Sequence, residues 1–158
     1  MVNETDMLRR LATHCSQAER CVLDVRKKIQ AENFSKEAEQ RLIDKLIHEK
    51  FIDERRFARS FVHDKFHFHH WGLAKINYEL KTRGIQPDIC REAIETTIDE
   101  DEYLTVLTDL LTAKKRSVKG RSQQDVYQKL FRFATSKGFE STFIIHILKK
   151  MFKNIDDD

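Results

Sequence analysis

Lys75-Ile76-Asn77-Tyr78-Glu79-Leu80-Lys81-Thr82-Arg83-Gly84-Ile85 lies without gaps on Lys129-Leu130-Phe131-Arg132-Phe133-Ala134-Thr135-Ser136-Lys137-Gly138-Phe139, at an offset of 54 residues. A fainter copy, Asp24 to Phe34, stands 51 residues upstream of the first, with Asn33 in the place of Gly84 and Gly138. Each of these three residues follows an apolar-periodic run and precedes one large apolar residue, Phe34, Ile85 or Phe139. That is how a helix looks when its C′ residue is left-handed, a conformation open to Gly and, next best, to Asn. Each therefore predicts a tight helix-to-helix corner, and three in register predict a repeat architecture.

The helix after each corner repeats as well. Ala38, Leu42, Ile43, Leu46 and Ile47 map onto Ile89, Ala93, Ile94, Thr97 and Ile98, and these onto Phe143, Ile147, Leu148, Met151 and Phe152. All three sets show one apolar stripe at i, i+4, i+5, i+8 and i+9, the buried face of an amphipathic helix. Pro87 suits the first helical position behind Gln86, and Ser35 holds the equivalent cap one copy earlier. A third helix is expected over 53–66, with Phe57, Ala58, Phe61, Val62 and Phe66 on its stripe, and another over 100–115. Ser16 with Glu19 reads as a capping box for the first helix, and Ser122 with Asp125 as a weaker one near the last unit. No stretch alternates, so the expectation is an all-α fold of three tandem three-helix repeats with no sheet. The expected divisions are an N-terminal segment 1–15, repeats at 16–68 and 69–118, a truncated third repeat at 119–153 that lacks its third helix, and an acidic tail at 154–158.

Composition agrees with this. One Pro and four Gly in 158 residues leave little punctuation for hairpins, and 40% hydrophobic content is enough for a core. Three cysteines, Cys15, Cys21 and Cys90, are odd in number and form no C-x-x-C, which points to reduced thiols rather than a disulfide framework or zinc finger. No window approaches the ~20 apolar residues of a membrane span, and the first ten residues resemble no signal peptide, so the cytoplasm is the expected compartment.

The segment Phe51-Ile52-Asp53-Glu54-Arg55-Arg56-Phe57-Ala58 resembles the signature "hydrophobic, Asp, Glu, x, Arg, Phe, Ala" that closes the first unit of RecX proteins. Leu73 to Ile85 is similar to that family's second-unit motif I-x-x-E-L-x-x-[KR]-G-I, and Lys129 to Phe139 to its third-unit helix ending in [KR]-G-F. The resemblance runs from Ser16 to Phe152. It departs at Trp71-Gly72, where many members carry Gly-Pro. What it implies is an elongated, curved array of three-helix modules that binds RecA filaments on DNA and limits their growth and their ATPase, strand-exchange and coprotease activities. Some such proteins also bind single- or double-stranded DNA directly. A monomer without a cofactor is the expectation.

The net charge of +3 conceals a segregation. From Glu92 through Ala113 stand seven acidic residues and no Lys or Arg, whereas Lys114, Lys115, Arg116, Lys119, Arg121, Lys129 and Arg132 face only Asp125. Such a cluster can meet phosphates or an acidic protein surface; its bland reading is a solvated helix face with a flexible connection at Gly120. Arg55, Arg56 and Arg59 lie off the apolar stripe and form a second candidate group. Arg56 matches the family signature, with a surface pair to Asp53 as the alternative. Asp53 and Glu54 are read as complementing the helix dipole. Lys75, Lys81 and Arg83 are further candidate contacts.

Four histidines, His63, His67, His69 and His70, crowd one stretch with Phe66, Phe68 and Trp71. His63 and His67 have the i, i+4 spacing of paired metal ligands, but no third ligand stands at a diagnostic spacing, so junction packing is preferred. Phe34, Phe51, Phe57, Phe61, Phe139 and Phe143 read as core. Trp71 and Phe133 can stack on bases, with core packing as the preferred role. No phosphate-cradling glycine loop, zinc-hydrolase helix or readable nucleophile is present, and an enzyme is not expected. The alternative to a RecA regulator is a helical-repeat DNA-binding protein that acts independently of RecA.

Overall fold

The computed structural model describes residues 2–153, and among them the chain forms nine α-helices and no strand. They are α1 (Glu4–Gln17), α2 (Val22–Gln30), α3 (Lys36–His48), α4 (Glu54–His67), α5 (Leu73–Thr82), α6 (Pro87–Thr97), α7 (Glu100–Ser117), α8 (Gln123–Ser136) and α9 (Ser141–Met151). The all-α expectation holds. The acidic tail expected at 154–158 lies outside the described residues.

The three corners that open the sequence argument are left-handed, with φ of 59° at Asn33, 76° at Gly84 and 98° at Gly138. After α5 the Ile85 N–H reaches back to the Leu80 carbonyl at 3.1 Å, and after α8 the Phe139 N–H does the same to Ala134, also at 3.1 Å. These six-to-one bonds satisfy carbonyls that a helix end leaves open. Two further left-handed corners, Lys50 (φ 64°) and His70 (φ 55°), follow α3 and α4 without a Gly or Asn to announce them.

Helix starts follow their caps. The Ser35 hydroxyl accepts the Ala38 N–H at 3.1 Å, the Ser122 hydroxyl accepts the Asp125 N–H at 3.2 Å, and Pro87 is the first residue of α6. The box expected at Ser16 and Glu19 is not formed. Ser16 lies in the last turn of α1, where its hydroxyl donates to the Ala12 carbonyl, and α2 opens instead at Cys21, whose N–H and thiol both point to the Asp24 carboxylate at 3.4 and 3.2 Å. Burial pushes that thiol up to about 11.

Residue 16 therefore does not begin the first repeat. α1, capped by Asn3, buries Met7, Leu11 and Cys15 in one cluster with Val25, Ile29, Leu42, Ile43, Leu46 and Ile52. The same i, i+4, i+8 burial recurs in α4 at Ala58, Val62 and Phe66, and in α7 at Tyr103, Leu107 and Leu111. Each such helix precedes a helix with a left-handed corner and then a striped one. The periodicity puts the repeats in a different phase from the expected one: α7 opens the third triplet rather than closing the second, and the third is not short of a helix. Ile47, expected on the buried stripe of α3, is 46% exposed.

The described residues form two compact units. One comprises the chain up to Val62 with Glu79–Ala93, and its core is the α1 to α3 cluster together with Phe57, Ala58, Val62, Leu80, Ile85, Cys90 and Ala93. The other comprises His63–Tyr78 and the chain from Ile94 on. At its centre the Tyr103 ring stacks on Phe66 at 5.8 Å and meets Phe139 at 5.1 Å. The Tyr103 hydroxyl donates to Glu140 at 2.5 Å and accepts the Leu73 N–H at 2.9 Å. Burial, then the Glu140 carboxylate, push this phenol far above its ordinary value. In the same unit the Gly72 N–H donates to the Lys137 carbonyl at 2.7 Å and the Ala74 N–H to the Gly138 carbonyl at 3.0 Å. A Cβ on Gly72 would overlap the Gly138 backbone, so backbone meets backbone there.

Candidate functional site

α7 carries Glu100, Asp101 and Glu102 in its first turn and Lys114, Lys115 and Arg116 in its last, the arrangement a helix dipole favours. The helix ends at Val118, a short loop follows, and Ser122 caps α8. Within this corner Asp125 has two partners: the Arg121 N–H donates to its carboxylate at 3.0 Å and the Lys129 ammonium lies at 3.4 Å. The Arg121 N–H first, and Lys129 with it, hold the carboxyl below the usual range. Lys129 also donates to the Lys119 carbonyl at 2.6 Å. Gly120 sits against Val126 and Asp125 with no room for a Cβ, so the connection is packed onto α8.

Asp125 thus consumes one ammonium, that of Lys129. Lys114 lies over the Phe133 ring at 5.0 Å and Lys115 over the Phe152 ring at 4.5 Å, contacts that orient a cation without neutralising it. Arg116, Lys119, Arg121 and Arg132 are exposed and form no ion pair with any described residue. The corner presents a group of cations on one continuous segment with no carboxylate partner among the described residues, able to contact phosphates.

The arginines of α4 are placed otherwise. Arg55 pairs with Glu92 and, at 3.8 Å, with Asp88; Arg59 reaches Glu92 at 3.3 Å. The Arg56 guanidinium binds Glu19 at 2.5 Å and the carbonyls of Lys50 and Phe51 at 3.0 and 3.4 Å. Glu19, which the sequence assigns to a capping box, is its partner, and the expected Asp53 pair is absent because the Asp53 carboxylate accepts the N–H groups of Arg55 and Arg56, each at 3.1 Å. Arg83 binds the Glu79 carboxylate at 2.9 Å and lies over the Phe61 ring. Lys81 is exposed. Glu54 is half-buried, with one carboxylate oxygen left without a hydrogen-bond partner among the described residues. Burial raises its carboxyl above the ordinary value, against a hydrogen bond from the Val22 N–H.

Lys75 lies over the Trp71 ring at 4.4 Å, and Lys65 lies over the same ring at 4.8 Å. Lys137 stands nearby, donating to the His69 carbonyl at 2.8 Å. Lys65 and Lys137 are not sequence candidates; the docking of the two corners at Gly72 and Gly138 is what brings Lys137 to the His69 carbonyl. The His63 and His67 rings pack at 4.5 Å, and His67 meets Glu102 at 2.7 Å. Among the described residues no group of three or more His, Cys, Asp or Glu is placed to hold a metal ion, and no helix is long and apolar enough to cross a membrane.

The family model of the RecX second three-helix domain matches residues 53–94, which takes in α4, α5 and most of α6. Regulatory protein RecX of Clostridium botulinum strain Eklund 17B is 30% identical over 129 residues, 80% of this chain and 59% of that one. The chain therefore spans 59% of the length of that relative. Regulatory protein RecX of Prosthecochloris aestuarii is 29% identical over 133 residues, 83% of each chain. The crystal structure of RecX from Lactobacillus salivarius matches with a TM-score of 0.81 at 20% identity, covering 94% of this chain and 96% of that one. A second crystal structure, of a regulatory protein RecX, matches with a TM-score of 0.84 at 21% identity over 92% of this chain and 73% of that one. At such identities the structures speak for the fold; with the domain match over α4 to α6 and the regulatory relatives over four fifths of the chain, they assign this protein to the RecX family.

Proposed function

We propose that this protein is a regulator, not an enzyme, that binds RecA filaments on DNA and inhibits RecA's recombinase, ATPase and coprotease activities. Family membership supports the partner. The observation that carries the mode of contact is the Lys114 to Arg132 segment, where a single acidic side chain, Asp125, sits among seven cations. A nucleoprotein filament offers both phosphates and acidic protein surface to such a segment. Arg55, Arg56, Arg59 and Arg83 are less suited to the role, since their guanidinium groups are engaged within the chain. We place the protein in the cytoplasm as a monomer without a cofactor; its three cysteines carry no disulfide, as suits a reducing compartment.

Replacing Lys114, Arg116, Arg121 and Arg132 together by Gln is expected to weaken inhibition of RecA by about tenfold or more at low salt, in a variant whose circular dichroism shows the wild-type helicity. Undiminished inhibition would remove the segment from this reading. The same cations also favour a second reading, a DNA-binding protein that acts independently of RecA.

A further inference from the structure

Each compact unit holds a cavity, and the two are lined by equivalent residues: Val22, Ile47, Ile52 and Ile89 in the first have the counterparts Leu73, Ile98, Tyr103 and Phe143 in the second. The offsets are those of the repeats, 51 residues for the first three pairs and 54 for the last. The fold therefore makes the same apolar hollow twice, with different rims. Around the first stand Lys50, Asp53, Glu54 and Arg55, two charges of each sign. The second, which Ile94 also lines, has only Glu95 and Glu100. Both are exposed, and neither forms an ion pair with a described residue. Glu100 suits the first turn of α7, where the helix dipole favours a carboxylate. Glu95 has no such reason, because it stands in the last turn of α6, which holds no basic residue and where a carboxylate opposes the dipole. The floor of the second cavity offers no free hydroxyl, since that of Tyr103 is bound to Glu140 and to the Leu73 N–H. Its volume of about 290 Å³ falls below the ~300–1,000 Å³ of small-molecule sites and suits a single large side chain.

We infer that the second cavity docks a basic peptide segment of a partner protein, with one large apolar side chain in the hollow and lysine or arginine beside it against Glu95 and Glu100. The walls gain by being covered, since Leu73, Ile94, Ile98 and Phe143 are each half-buried in the free chain. A cation beside Glu95 also offsets its unfavourable place at the end of α6. The rim sets the sign of the occupant, because an acidic segment or a nucleic-acid strand is repelled by Glu95 and Glu100. The charge-balanced first cavity carries no such preference. The inference goes beyond the filament reading, which assigns contact to the cations of the Lys114 to Arg132 segment and gives the acidic stretch no part.

The test is a titration of the full chain, labelled in its isoleucine methyl groups, with an amidated peptide of about five residues that carries a central leucine among lysines, followed by NMR at low salt. Saturable movement of the Ile94 and Ile98 methyl resonances is expected, with binding at Ile47 and Ile89 weaker by about threefold or more. Alanine in place of the leucine is expected to weaken binding at Ile94 and Ile98 by at least about tenfold. Glu95→Gln with Glu100→Gln, in a variant whose circular dichroism shows the wild-type helicity, is expected to weaken it about 2- to 10-fold. Both carboxylates are exposed, so the double variant keeps the core intact. No movement at Ile94 and Ile98, equal binding of the alanine peptide or of one with glutamate for lysine, or an equal response at Ile47 and Ile89 would each overturn the assignment. Shifts at Ile94 and Ile98 that follow protein concentration without peptide would overturn it in favour of a second copy of the chain. RecA is absent from this experiment, so its failure leaves the filament reading untouched.

Discussion

Replacing Arg56 by alanine removes the Glu19 ion pair and two hydrogen bonds to the Lys50 and Phe51 carbonyls of the corner after α3. The side chain is 41% exposed, so screening reduces the gain, and the expected loss is about 1 kcal/mol in a urea titration. Inhibition of RecA by the folded variant is expected to stay at the wild-type level; a stable but inactive variant would make Arg56 a contact residue instead. Glu54 behaves in the opposite sense. Its folded carboxyl holds a proton more tightly than the ordinary value of 4.5, so the folded state binds more protons than the unfolded one just above that pH. Stability is therefore lost from this group as pH rises from about 4.5 through the raised folded value. The difference in urea midpoint between wild type and Glu54→Gln, followed from pH 4 to pH 7, is expected to move in favour of the variant as pH rises; a flat difference would contradict the burial argument. Sequence reading brought both residues forward through a motif, but not their partners, because Glu19 and Val22 lie more than thirty residues away.

Elements were legible where local chemistry alone decides them. Gly84, Gly138 and Asn33 end helices because the left-handed conformation is a property of the residue, and Ser35, Ser122 and Pro87 begin them for equally local reasons. Lys50 and His70 adopt the same left-handed turn with no such signature, so their corners were invisible. The repeat phase was lost in a similar way: Met7, Leu11 and Cys15 make a sparse stripe whose burial depends on α2 and α3. The two glycines separate local conformation from tertiary contact. Gly84 faces open space, and Gly84→Ala is expected to cost roughly 1 kcal/mol for its positive φ alone. At Gly138 a Cβ would also meet the Lys75 Cβ and lie 2.7 Å from its backbone nitrogen, so Gly138→Ala is expected to cost about 2–4 kcal/mol. Equal losses of melting temperature in the two variants would argue against the docking of the α8 corner onto α5.

At the scale of the whole molecule, linear order told more about charge than about its use. In the basic run 114–132 only Lys129 is paired with a carboxylate among the described residues, that of Asp125, the run's single acidic side chain. The arginines at 55, 56, 59 and 83 look equally available along the chain, yet folding supplies each with a carboxylate from another position or another helix. Conversely, Lys137 meets the His69 carbonyl only through the pairing of two corners that lie far apart in sequence. The central claim, that the protein restrains RecA filaments, is tested most directly by the steady-state ATPase of RecA on single-stranded DNA with rising amounts of this protein, beside a matched titration of bare DNA. Inhibition at concentrations too low to coat the DNA is the expected result, whereas inhibition that appears only when the DNA is saturated, or none at all, would contradict the claim and favour an independent DNA-binding protein.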